Sequence, residues 1–275
     1  GSPTEDVLVA LSGDASNCLY VYKYFFSGNQ KLLSSWSKFV FGNPADTPQD
    51  VEIIGCQFMN SVLYVFYRTY YGANDFLSIG KINFEPNPSD TELYLDFQQA
   101  GTTDSNGQLT VDTIFPTNIN THYTNTGARY STNTYIGSGK LFNPSSSSVS
   151  PGAGVAFTAG CQYTMKYRFS DQLFKLPADK IRTPSSSVNA KLRNLNLFVD
   201  KTGFLKVKIT QDDRAEQASS IGSDTTRNLV EDDHRFPIYS DPKTVNIDLE
   251  NNSAYASNIQ SVEFESFVHG RSKRV

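Results

Sequence analysis

From residue 161 to residue 275 the chain alternates between apolar and polar side chains with a period of two, and that restricts it to strands. In YTMKYRF, Tyr163, Met165, Tyr167 and Phe169 share one face while Thr164, Lys166 and Arg168 share the other. LNLFV aligns Leu195, Leu197 and Val199. LKVKI aligns Leu205, Val207 and Ile209 against Lys206 and Lys208. VNIDL aligns Val245, Ile247 and Leu249, and VEF aligns Val262 and Phe264. A helix turns about 100° per residue and would scatter each set, whereas a strand puts alternate residues on opposite faces. One dry and one wet face per strand is the pattern of an antiparallel β-sandwich, expected here over 161–275.

Residues 1–92 carry an internal repeat. NCLYVYKYFFSGNQKLLSSWSKFVF (Asn17–Phe41) is echoed by SVLYVFYRTYYGANDFLSIGKINF (Ser61–Phe84), with Leu19 and Leu63 opening the matching LYV 44 residues apart. Each copy runs an aromatic strand into a Gly/Asn turn and then a second strand, which is a hairpin signature. A further strand candidate precedes each copy, VLVALS and VEIIGCQF. A period of about 40–45 residues with three or four strands is that of a propeller blade. The competing reading is two unrelated hairpins of one sandwich. A propeller closes only with about four blades or more, so the blade reading makes residues 1–92 a partial propeller. The opening Gly1-Ser2 reads as a cloning remnant, and the chain is then expected to be part of a longer polypeptide. Aromatic residues make up 13% of the chain and Met only 2 positions, a balance that suits the pleated surface of strands. The expected class is all-β, with helix nearly absent.

Residues 93–160 read differently. Between Thr117 and Gly160, 25 of 44 residues are Ser, Thr, Asn or Gly, and only Arg129 and Lys140 are charged. Too little apolar surface is present for a large core, yet the short pieces TIF, TYI and VAF point to a small, loop-rich β insert.

The net charge of −4 gives the whole chain no attraction to nucleic acid or to an anionic membrane. That imbalance is matched by one segment, Gln211–Arg235. It holds Asp212, Asp213, Glu216, Asp224, Glu231, Asp232 and Asp233 against Arg214, Arg227 and Arg235, and it is expected as a solvated loop. The chain closes with the opposite charge, on Arg271, Lys273 and Arg274 behind the aromatic run VEFESFV. Cys18, Cys56 and Cys161 lie far apart without zinc-type spacing, so reduced thiols are expected. The apolar run Val7–Leu11 is too short for a signal segment or a membrane span.

Catalytic signatures are weak. IGSGKL has Thr134 where a phosphate loop needs Gly and Leu141 where it needs Ser or Thr. His122, His234 and His269 lack metal-binding spacing, and no serine stands in a nucleophile elbow. DSNGQ (Asp104–Gln108) resembles a calcium loop without its distal Glu, and reads as a turn. Glu263 and Glu265 share a strand face as an acid/base pair would, although paired charges are also what a solvated sheet face carries. No catalytic residue, cofactor or metal is expected.

The succession GCQYTMKYRFSDQLFKL, AKLRNLNLFVDKTGFLKVKIT and IQSVEFESFVHGRSKRV resembles the end of the tail tubular protein B family, the nozzle of short-tailed bacteriophages. The likeness extends over most of the chain. It is most specific over 160–176, 190–210 and 259–275; the insert matches no part of the family pattern, and VEFES stands where such proteins often show a Trp. The resemblance implies a non-enzymatic virion tail protein made in the bacterial host cytoplasm. It implies a homo-oligomer, a hexameric ring in the full-length protein, stacked on an adaptor ring protein and contacting tail fibres. DNA would pass through its channel without specific binding. On that implication Arg271, Lys273 and Arg274 dock on a neighbouring acidic surface, where Arg is a favoured anchor; a frayed solvated tail is the competing reading. Asp212, Asp213, Glu216, Glu231, Asp232 and Asp233 would then face the channel or its rim, since an acidic wall repels phosphates; an outward solvated loop competes. The alternative function is a carbohydrate-binding or carbohydrate-cleaving β module of a virion protein, using Glu263 and Glu265 or the insert residues Tyr123, Tyr130 and Tyr135.

Overall fold

The computed structural model describes residues 6–27, 30–41, 51–71, 74–84, 93–102, 163–172, 188–211, 214–224 and 228–270. Short pieces at 104–105, 109–110, 121–124, 129–130, 135–136, 141–142, 153–154 and 156–161 are also described. Among these residues every regular element is a strand, so the all-β expectation holds. The chain divides into two compact units.

The first unit comprises Gly1–Ser89 and Leu95–Gln162. It opens with β1 (Val7–Leu11), β2 (Cys18–Ser27) and β3 (Gln30–Val40), paired antiparallel in that order. β4 (Val51–Met59), β5 (Val62–Tyr71) and β6 (Asn74–Asn83) repeat the arrangement. The sequence repeat is therefore a structural one: β2 and β5 have 10 residues each and occupy equivalent positions in the two copies. Leu19 pairs with Phe39 in the first copy and Leu63 with Ile82 in the second. Leu19 joins Val51, Ile53, Leu63, Val65 and Tyr67 in one core, with Val9, Phe39, Phe58 and Phe84 packed against it. Equivalent faces of the two copies thus meet. Each fully buried Leu or Val there contributes about 1.5–3 kcal/mol of hydrophobic stabilisation.

The same unit holds β7 (Asp96–Thr102), β8 (Leu109–Thr110), β9 (Thr121–Thr124), β10 (Arg129–Tyr130), β11 (Tyr135–Ile136), β12 (Leu141–Phe142) and β13 (Ala156–Cys161). They form two small sheets, ordered β10-β9-β13-β7 and β11-β12-β8.

The second unit comprises Asp90–Tyr94 and Tyr163–Val275. Its strands are β14 (Met165–Arg168), β15 (Val188–Thr202), β16 (Phe204–Gln211), β17 (Arg214–Gly222), β18 (Val230–Ser240), β19 (Val245–Asn251) and β20 (Ile259–Gly270). One sheet runs β14-β19-β16-β17 and the other β18-β15-β20. A single core takes Leu195, Leu197 and Val199 from β15, Leu205, Val207 and Ile209 from β16, Phe236 and Ile238 from β18, and Val245, Ile247 and Leu249 from β19. These include nine of the fifteen positions that the period-two pattern marks as dry, and Met165, Phe169, Val262 and Phe264 pack against them partly buried. Tyr163 and Tyr167 depart from the pattern, 38% and 54% exposed, and the Tyr167 ring stands edge-on to Phe169 at 5.0 Å.

The acidic segment also differs from the expected loop. Most of its described residues are strand, in β17 and β18. β17 buries only Ile221, so no apolar alternation announces it. It forms because the β16 backbone offers it a continuous antiparallel partner from Phe204↔Gly222 to Ile209↔Gln217.

The chain passes from one sheet to the other between β15 and β16 through Gly203. A Cβ at Gly203 would stand 2.5 Å from Cβ of Tyr255, which is itself buried. Gly222 at the end of β17 has φ of +73°, and a Cβ there would lie 2.0 Å from the Gly203 carbonyl oxygen. Both positions demand glycine, one for close approach and one for backbone conformation as well.

Candidate functional site

The side of β18-β15-β20 that faces away from the core is built by the same alternation that fills the core. Leu195, Leu197 and Val199 point inward, so Asn196 and Phe198 point outward. The register then sets three strands abreast: Arg235 and Glu263 flank Asn196, while Asp233 and Ser261 flank Phe198. Together with His234 and Glu265 these residues line a concavity of about 390 Å³.

Glu265 is the fixed point of this surface. Asn194 Nδ2 donates to its Oε2 at 2.6 Å, Asn196 Nδ2 to its Oε1 at 3.2 Å, and Arg235 Nη2 to its Oε2 at 2.6 Å. Asn194 is buried at a β-bulge where the β15 register shifts. Donation from Asn196 and Asn194, with the Arg235 guanidinium alongside, holds the Glu265 carboxyl below the usual carboxylate range. A carboxyl held ionised in this way is a poor proton donor, so Glu265 is unsuited to the acid role in a glycoside-cleaving pair.

The carboxylates of Asp233 and Glu263 differ from it. Among the described residues no hydrogen bond or ion pair engages either group, although the Asp233 backbone N–H donates to Asp232 Oδ1 at 2.8 Å. Asn196 Oδ1 is likewise without a partner. Three carboxylates therefore stand around the concavity against the single guanidinium of Arg235.

The other sheet of this unit carries a balanced ionic ladder. Arg168 grips Asp248 with two bonds, Nε to Oδ1 at 2.6 Å and Nη2 to Oδ2 at 2.8 Å. Glu250 accepts Lys208 at 2.5 Å and Lys166 at 3.1 Å. The Arg168 guanidinium holds Asp248 below its ordinary pKa. Glu216 on β17 lies 4.0 Å from Lys208 at the margin of the ladder.

Of the site residues expected from sequence, Glu231, Asp232 and Asp233 sit exposed in a row on β18, and only Asp233 reaches the concavity. Glu216 is exposed on β17. Asp212, Asp213, Arg271, Lys273 and Arg274 lie outside the described residues. Asn196, Phe198, Arg235 and Ser261 were not singled out as site residues, although LNLFV already placed Asn196 and Phe198 on the wet face opposite Leu195 and Leu197. Among the described residues no group of His, Cys, Asp and Glu could hold a metal ion, and no helix is long and apolar enough to cross a membrane.

A family model described as bacteriophage nozzle protein matches residues 1–275, the whole chain. No curated protein matches it.

Proposed function

The chain belongs to the bacteriophage nozzle protein family, which makes it a structural component of a phage tail, and we propose that it contributes to a six-subunit ring around the channel through which the genome leaves. In this reading the ring stacks on an adaptor ring and meets the tail fibres. The family match over the full length carries the proposal. The exposed acids support it. Duplex DNA sheds counterions wherever Lys or Arg pairs with its phosphates, and each such pairing makes a wall adhesive. Glu216, Glu231 and Asp232 present unneutralised or weakly neutralised charge instead. Their repulsion acts over roughly 8 Å at physiological salt, which suits a wall that the duplex slides past.

Two measurements test this. Negative-stain images of the intact protein should contain six-fold rings; a uniformly monomeric protein would overturn the ring. Phage carrying Glu216→Lys, Glu231→Lys and Asp232→Lys together should eject DNA several-fold more slowly, and normal ejection from assembled tails would place these strands outside the channel.

A carbohydrate-binding reading draws on one observation, the Phe198 ring, 37% exposed, beside Asn196 and Glu263 in the concavity. An aromatic face with amide and carboxylate acceptors is suited to a sugar ring. Saturable binding on a glycan array, lost in Phe198→Ala, would favour it over the purely structural role.

A further inference from the structure

We infer that the concavity on β18-β15-β20 is a receptor for the basic segment Arg271–Arg274 of a neighbouring copy of this chain. The inference rests on the ring reading for the presence of that neighbour, and it names the surface that such a segment would meet. Three observations lead to it.

The first is unspent charge. Asp233 and Glu263 line the concavity from opposite strands of the sheet, and neither carboxylate has a partner among the described residues. Glu265 already accepts three donors. The concavity therefore offers two anionic acceptors without partners among the described residues, with an exposed aromatic ring between the strands at Phe198. That is a seat for cationic side chains, which pair with carboxylates and stack on aromatic faces.

The second is complementarity within the chain itself. RSKR, from Arg271 to Arg274, brings three fixed cations in four residues, and it follows directly on β20, an edge strand of the sheet that bears the concavity. An assembly of identical subunits then carries donor segment and receptor at a constant relation on every copy, as a head-to-tail contact requires.

The third is reach. Glu263 lies seven residues back along β20 from Gly270, about 23 Å at strand rise. Arg274 extends at most about 14 Å of backbone beyond Gly270, and Asp233 stands two strands further across, about 10 Å away laterally. A segment folded back on its own strand falls short of engaging both carboxylates. A neighbour's segment has no such limit. On this assignment Asp233 belongs to the subunit contact, and the acidic wall is left to Glu216, Glu231 and Asp232.

The test uses the full 275-residue chain and a labelled synthetic peptide spanning His269–Val275, followed by fluorescence anisotropy at low salt. Saturable binding is expected, weakened at least tenfold by Asp233→Asn combined with Glu263→Gln, which keep size and shape. Glu216→Lys, on the other sheet, should leave binding unchanged. A peptide with Arg271, Lys273 and Arg274 all replaced by Gln should not bind. No binding, equal binding to the double variant, or equal loss with Glu216→Lys would each overturn the assignment. Because the peptide is supplied free, this result does not depend on ring assembly: rings without peptide binding refute the receptor alone, and peptide binding without rings refutes the ring alone.

Discussion

Asn251 shows what a single side chain does in this protein. Its Nδ2 donates to the Tyr255 carbonyl at 2.6 Å and to Ser257 Oγ at 2.8 Å, while its Oδ1 accepts from the Ser253 N–H and hydroxyl at 2.7 and 2.9 Å. Ser257 Oγ passes the chain of bonds on to the Phe204 carbonyl at 2.6 Å. The residue is buried, so Asn251→Ala strands several polar groups away from water, at about 1–3 kcal/mol for each one left unpaired. We expect a loss of at least about 2 kcal/mol in urea unfolding of this unit, larger than for any substitution of an exposed residue on β17. Gly222→Ala should be comparably damaging, because the added methyl meets the Gly203 carbonyl and the backbone is left-handed there. The ionic ladder adds a pH dependence. Asp248 is held below its ordinary pKa by Arg168, and Glu265 by Asn196, Asn194 and Arg235. Each binds fewer protons folded than unfolded, so its contribution is fully present above the unfolded carboxylate value of about 4 and is lost as pH falls through the lower, folded value. Thermal melts between pH 3 and 6, approximate bounds around that value, should show a drop in stability toward acid, and Asp248→Asn should flatten it.

At the scale of elements, β16 and β17 are neighbours with opposite character. β16 alternates buried and half-buried positions and pairs on both sides, with β17 and β19. β17 is an edge strand with one buried residue. Local opening follows burial and pairing, so backbone amides of Arg214–Ser220 should exchange with deuterium well before those of Leu205–Ile209. Equal protection of the two would mean that something else covers β17. The repeat in the first unit shows how much of this level was legible beforehand. Aromatic runs, Gly/Asn turns and the 44-residue spacing announced three or four strands per copy, of which the structure forms three, because each hairpin is closed by contacts between residues near in sequence. β17 was not legible, because an exposed edge strand has no dry face to reveal it; only its backbone pairing defines it.

For the whole molecule, the second unit has the more extensive core among the described residues, joining strands of both its sheets, whereas the described core of the first unit rests on fewer buried side chains. Limited proteolysis of the 275-residue chain should therefore leave a fragment from about residue 163 to 270 as the last resistant band, since cleavage follows the free energy of opening. Survival of residues 6–84 instead would reverse this ranking. By itself the sequence determined the class, five of the seven strands of the second unit and most of its core, because a period of two is a local property that tells each side chain its face. It also exposed the acids and the basic segment, since charge is visible residue by residue. Only the tertiary structure decided that equivalent faces of the two repeat copies meet, that Asn194, Asn196 and Arg235 converge on Glu265, and that Asp233 and Glu263 have no partner among the described residues across one concavity. Those facts depend on which strands become neighbours and in what register, and pairing between residues far apart in the chain is chosen by the packing of the whole sheet rather than by any one segment.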